Sequence, residues 1–208
     1  MKFKTLITGL LSLCACLACM NKKDHAIAED KTTDRQEENT KTMLSDEYGS
    51  DLGPQFSPDG QKIAFYSYLK SDPSVGRIFI MNKDGSQIKE LTSRDTVGMH
   101  TEPKWSDNGK KIGYTSFREN GAKIMAIDID GDQPKPLASI TEDGYHMFSC
   151  WDAKGDGYYF FHWPAGGFTP DAYYANKTEI IKLTEDGISC RPQLTADGTL
   201  FVSKIVDL

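Results

Sequence analysis

The sequence is short of basic charge. Lys and Arg number 24 against 30 Asp and Glu, a formal net charge of −6. That excludes binding to nucleic acid through a basic surface, which needs clustered cations to neutralise phosphates. Long apolar runs are also missing, and none reaches the ~18 residues that cross a bilayer as a helix. Five cysteines in 208 residues are too few to build a small fold from disulfides, and three of them stand within the first 19 positions. No G-x-S-x-G nucleophile elbow, H-E-x-x-H zinc helix or P-loop occurs. What the chain does have is 18 Gly, nine Pro, nine Tyr and ten Phe. These are the residues of a turn-rich β protein rather than a helical bundle.

The first residues read as an address. Met1 to Lys4 is a short positive region, and Thr5 to Ala18 is uncharged, apolar and closed by small residues, so a signal peptide is expected over residues 1–18. Its Ala-Cys pairs resemble the lipobox of bacterial lipoproteins, where a cysteine following a small residue is lipidated and becomes the new N-terminus. Cys16 has Leu13 at the usual distance before it, whereas Cys19 stands nearer the polar Asn21-Lys22-Lys23. Cleavage is therefore expected before Cys16 or Cys19. The mature chain would be exported and held by lipid in the cell envelope, facing the periplasm or the cell surface. Residues 19–47 alternate charges and carry few large apolar side chains, which predicts a disordered tether with a mean reach of about 25–30 Å.

The rest of the chain, residues 48–208, repeats. Phe56-Ser57-Pro58-Asp59-Gly60, Trp105-Ser106-Asp107-Asn108-Gly109, Trp151-Asp152-Ala153-Lys154-Gly155 and Leu194-Thr195-Ala196-Asp197-Gly198 align, their glycines 49, 46 and 43 residues apart. This is the period of blade-type repeats, not of helical hairpins. Strand patterns follow each turn, as in Ile63-Ala64-Phe65-Tyr66 and Ile112-Gly113-Tyr114-Thr115, and further strands end at Leu91-Thr92, Leu137-Ala138 and Leu183-Thr184. Each unit of about 40 residues is a four-stranded antiparallel sheet, the blade of a propeller. Blades are expected near 50–92, 99–138 and 145–184, with a half blade over 188–208. The fold class is all-β, a partial or open propeller of about three and a half blades.

The run P-x-W-S-x-D-G, then I-A-F-x-S, I-x-x-M-x-x-D-G-S and a closing L-T resembles the PD40 (WD40-like) repeats of the TolB family over residues 50–208. Blade three departs, with Ser149 where the others have Pro54, Pro103 and Pro192, and Lys154 where Asp or Asn is usual. The resemblance implies a binding module with protein partners in the cell envelope, including peptidoglycan-associated ones. The open end also suits self-association, a shortened copy of a longer propeller, or a non-functional remnant.

Binding is expected on the long loops at one end of the blades. His100 and His146 stand five residues before Trp105 and Trp151. If these slots converge on the axis, the two imidazoles suit a ligand or a shared divalent metal, with no other cofactor indicated. Glu102 and Arg191 lie near the same rim, and Trp163 opens a loop there. Propeller enzymes that cleave pectic oligosaccharides are similar in using loop-borne histidines on a metal. The competing class is accordingly a metal-dependent carbohydrate-active enzyme with His100 and His146 at its site and no assigned catalytic residue. Cys150 and Cys190 lie near strand entries of adjacent blades, and a disulfide between them is expected after export.

Overall fold

A computed structural model describes residues 3–7, 46–92, 98–130 and 133–205. Cys16, Cys19, the signal peptide beyond Ile7 and the tether up to residue 45 lie outside the described residues. Phe3–Ile7 forms strand β1, paired in parallel with a strand at the other end of the chain.

Among the described residues every regular element is a strand. Blade one comprises Tyr48–Phe56 (β2), Lys62–Leu69 (β3), Gly76–Asn82 (β4) and Lys89–Glu90 (β5), an antiparallel meander. Blade two repeats it with Met99–Trp105 (β6), Lys111–Arg118 (β7), Gly121–Asp128 (β8) and Lys135–Pro136 (β9). Blade three is Gly144–Trp151 (β10), Tyr158–Pro164 (β11), Asp171–Ala175 (β12) and Ile180–Lys182 (β13). Ser189–Leu194 (β14) and Leu200–Lys204 (β15) form the half blade. The expected open propeller of three and a half antiparallel blades is the observed architecture.

The repeated turns form for a local reason. Ser57 Oγ accepts the Lys62 N–H at 2.9 Å and donates to Asp59 Oδ1 at 2.6 Å, and Asp59 Oδ1 accepts the Gln61 N–H at 3.0 Å. Ser106, Asn108, Lys110 and Lys111 reproduce this set. Gly60 and Gly109 both stand at φ 67, a left-handed conformation that glycine adopts without strain. Blade three keeps the turn although Lys154 replaces the usual acceptor. There Asp152 moves into the role, its Oδ1 accepting the Lys154 and Asp156 N–H groups, each at 3.1 Å. The closing L-T pairs also have a function in the sheet. Leu91 and Leu183 donate their N–H to Ile78 O and Ala172 O, both at 2.8 Å. Thr92 and Thr184 then accept the Ile78 and Ala172 N–H groups through their hydroxyls.

Strand alternation gives each blade two apolar faces, and the core lies between blades. Ala64, Ile78 and Ile80 of blade one meet Ile112, Tyr114 and Ile127 of blade two. Ile124 and Ala126 from the other face of blade two meet Phe148, Trp151 and Phe160 of blade three. Tyr159 and Ala172 then pack on Leu200 and Val202 of the half blade. Each fully buried Ile or Phe in these layers contributes roughly 1.5–3 kcal/mol. The repeat tryptophans tie blades together: Trp105 Nε1 donates to Gln55 O of blade one at 3.0 Å, and Trp151 Nε1 to Lys104 O of blade two at 3.1 Å. Phe56 holds the same slot in blade one and is 66% exposed.

Candidate functional site: the cleft of the inner strands

The first strand of each blade bulges against its partner, and β2 does so a second time between Tyr48 and Asp51. The register slips between Leu52 and Gln55, Thr101 and Lys104, Phe148 and Cys150, and Cys190 and Gln193. Such bulges bend a strand and re-aim its side chains. Because successive inner strands β2, β6, β10 and β14 are neighbours, the four bulges fall side by side. They bound a cleft of about 170 Å³ whose wall includes Gly53, Glu102, Lys104, Ser149, Arg191 and Gln193.

The backbone there is strained. Gly53, Glu102 and Arg191 have φ of 58, 54 and 47. Only the first is a residue that adopts this region freely; for the other two the cost is of order 1–3 kcal/mol each. All three precede a proline, whose ring pushes its predecessor toward extended conformations. Blade three has neither the proline nor a left-handed residue at its bulge. Phe148 instead turns into the core against Gly113, where any Cβ would meet the Phe148 ring at 2.3 Å. Blade two therefore reads Ile112-Gly113-Tyr114 where blade one reads Ile63-Ala64-Phe65.

The polar groups of this cleft are loosely engaged. Glu102 Oε1 and Arg191 Nη2 approach to 3.7 Å, an ion pair spanning from blade two to the half blade and partly exposed on both sides. That separation is beyond hydrogen-bonding length. Ser149 is 7% exposed and its hydroxyl has no partner.

A second cleft, of about 300 Å³, lies at the loop end of blade three beside Glu142, His162, Asp171, Lys182 and Asp186. Two of its four carboxylates are tied down. Asp171 pairs with Lys182 at 3.0 Å and accepts from Thr184 Oγ1 and Gly187 N. Asp186 pairs with Lys204 at 2.7 Å and accepts from Ser189 Oγ and Ile188 N.

The residues expected to form the site divide. Glu102 and Arg191 do come together. His100 and His146 do not, because each faces the blade before its own. His100 is fully buried, edge-on to Tyr114 at 5.3 Å, within the layer between blades one and two. Burial, with Arg77 and Arg118 nearby, pulls its pKa down to about 3, so the imidazole is neutral. His146 lies opposite His162, their ring centroids 4.5 Å apart. It bonds to Ser139 Oγ and, at 3.0 Å, to Glu142 O, and burial lowers its pKa. Among the described residues no group of three or more His, Cys, Asp or Glu is placed to hold a metal. Trp163 packs in an aromatic row with Tyr145 at 5.1 Å and Phe168 at 4.8 Å, and reaches the cleft only through Phe161.

The expected Cys150–Cys190 disulfide is corrected, since both are free. The bulge at 148–150 sends Cys150 toward Tyr159 and Leu200, while Cys190 packs with Met147 and Phe161. Cys150 Sγ donates instead to Pro192 O at 3.6 Å. Sequence alone does not mark Lys104 or Gln193, and it marks Ser149 only as a missing proline. The signal that finds this wall is the residue before the repeated proline, at Gly53, Glu102 and Arg191.

Solved structures share this fold. TolB from Acinetobacter baumannii superposes with a TM-score of 0.60 at 21% identity, over 74% of this chain and 37% of that one. An oligogalacturonate lyase in complex with manganese gives 0.58 at 11% identity, over 74% and 46%. Among curated proteins, dipeptidyl-peptidase 5 of Porphyromonas endodontalis is 26% identical over 114 residues, which is 49% of this chain and 16% of that protein. The chain thus spans less than half the length of each of these. The family described as the TolB beta propeller domain, PD40, matches residues 30–204, and the chain belongs to it.

Proposed function

We propose that this chain is an envelope-anchored binding module that engages a partner protein through the cleft of its inner strands. The observation that carries this reading is the loose Glu102–Arg191 pair held on strained backbone beside an unpartnered Ser149 hydroxyl, where the inner strands of three blades and the half blade converge. Strain and unsatisfied polar groups persist where a ligand uses them. The anchor is the lipid on Cys16 or Cys19, and the partners are envelope or peptidoglycan-associated proteins, as the family resemblance implies. The histidines give no separate support for a metal-dependent enzyme, because His146 is engaged with its own loop and His100 is sealed between blades.

Photo-cross-linking in the native envelope tests this. A photoreactive side chain at Gln193 is expected to give a discrete protein adduct, whereas one at Asn108, on a tight turn, gives none. Equal labelling at both positions, or no adduct at Gln193, overturns the reading. Labelled palmitate is expected to enter the wild-type chain and to be lost in either Cys16→Ser or Cys19→Ser, whichever carries the lipid.

A further inference from the structure

Donors outnumber acceptors among the side chains of the inner-strand cleft. Arg191 brings a planar guanidinium that makes no hydrogen bond among the described residues, and its sole ionic neighbour is one Glu102 oxygen at 3.7 Å. Lys104 lines the same wall, and no carboxylate among the described residues pairs with it. The buried Ser149 hydroxyl is unpartnered, and Gln193 adds an amide. Against these stands the single carboxylate of Glu102. A guanidinium, an ammonium and a hydroxyl among the lining side chains suit the two oxygens of a carboxylate, which Arg binds in a bidentate fork. The size of the cleft narrows the source. At about 170 Å³ it is below the ~300–1,000 Å³ of pockets that enclose whole small molecules. It suits one end group of a longer chain.

Resting on the protein-binding reading above, we propose that the group seated in this cleft is a carboxylate of the partner polypeptide, either its C-terminus or an Asp or Glu side chain. Arg191, Lys104 and Ser149 hold it, and Glu102 faces a donor beside it. The left-handed backbone at 102 and 191 turns these two side chains toward the ligand rather than along the strand.

The full chain, labelled with nitrogen-15, is titrated with three capped tripeptides: one ending in a free C-terminal carboxylate, one amidated with an Asp side chain, and one amidated with Asn. One or both carboxylate peptides are expected to shift the Ser149 and Gln193 amide resonances saturably. The response to each tells the C-terminal source from the side-chain source. The Asn peptide is expected not to shift them. Arg191→Gln weakens binding about tenfold, and Arg191→Lys also weakens it by removing the fork. Arg191→Gly relieves the backbone, so it folds with a raised Tm and still loses binding, which separates the site from a fold defect. Equal binding of the Asn peptide, an unchanged affinity in Arg191→Gln, or tighter binding of free glucuronate than of either peptide overturns the proposal. A Gln193 adduct without any carboxylate dependence overturns this inference alone, whereas loss of the adduct overturns the module reading beneath it.

Discussion

The two clefts hold similar charged side chains and use them in opposite ways. In the cleft beside blade three, Asp171 and Asp186 are each tied to a lysine, a hydroxyl and a backbone N–H. They stitch the half blade to blade three. In the cleft of the inner strands, Arg191 and Glu102 stand 3.7 Å apart on strained backbone and the Ser149 hydroxyl is buried alone. Charge in a concavity is therefore not the mark of a site here. What distinguishes the second region is a long ion pair held on strained backbone beside a buried hydroxyl that has no partner.

The largest expected effect belongs to a third buried polar group, His100, and sharpens the contrast by showing what an unpartnered group does when no ligand can reach it. Burial holds its pKa at about 3, below the ordinary imidazole value of 6.5. Below pH 6.5 the unfolded chain takes up a proton that the folded chain refuses. Stability is then expected to fall by about 1.4 kcal/mol per pH unit until roughly pH 3. Urea midpoints followed from neutral to acid pH in wild type and His100→Gln check this, the variant showing the flatter curve. Next, Asp171→Ala leaves the Thr184 hydroxyl and the Gly187 N–H without their acceptor, and is expected to cost about 2–3 kcal/mol of unfolding free energy. Trp151→Phe removes the donor to Lys104 O and is expected to cost about 1–2 kcal/mol. The smallest change has the opposite sign. Glu102→Gly, by freeing a left-handed position, is expected to stabilise by about 0.5–1 kcal/mol, read as a higher melting temperature. A loss there would make the two clefts alike.

The blades were legible because their instructions are local. Ser57, Asp59 and Gly60 encode a turn by themselves, and the alternation through Ile63 to Tyr66 encodes a half-buried strand. Glu102 and Arg191 were found because they lie beside repeat landmarks. The histidines were misplaced for a related reason. Equal spacing from the repeat Trp suggests a slot that faces the axis, yet alternation in β6 and β10 turns His100 and His146 toward the neighbouring blade. Facing the cleft takes a bulge, and a bulge depends on the pairing of two strands rather than on either one. Ser149 stood out as a missing proline, but its burial and lack of a partner depend on Phe148 turning inward against Gly113. The disulfide failed on the same ground, since the slip at 148–150 decides which layer Cys150 enters.

The most direct measurement is the urea unfolding midpoint of Arg191→Gly beside wild type and Asp171→Ala. If the inner-strand cleft is kept for a ligand at the expense of the fold, the midpoint of Arg191→Gly rises while that of Asp171→Ala falls. A fall in Arg191→Gly comparable to that of Asp171→Ala would show Arg191 to be a structural tie and would contradict the account.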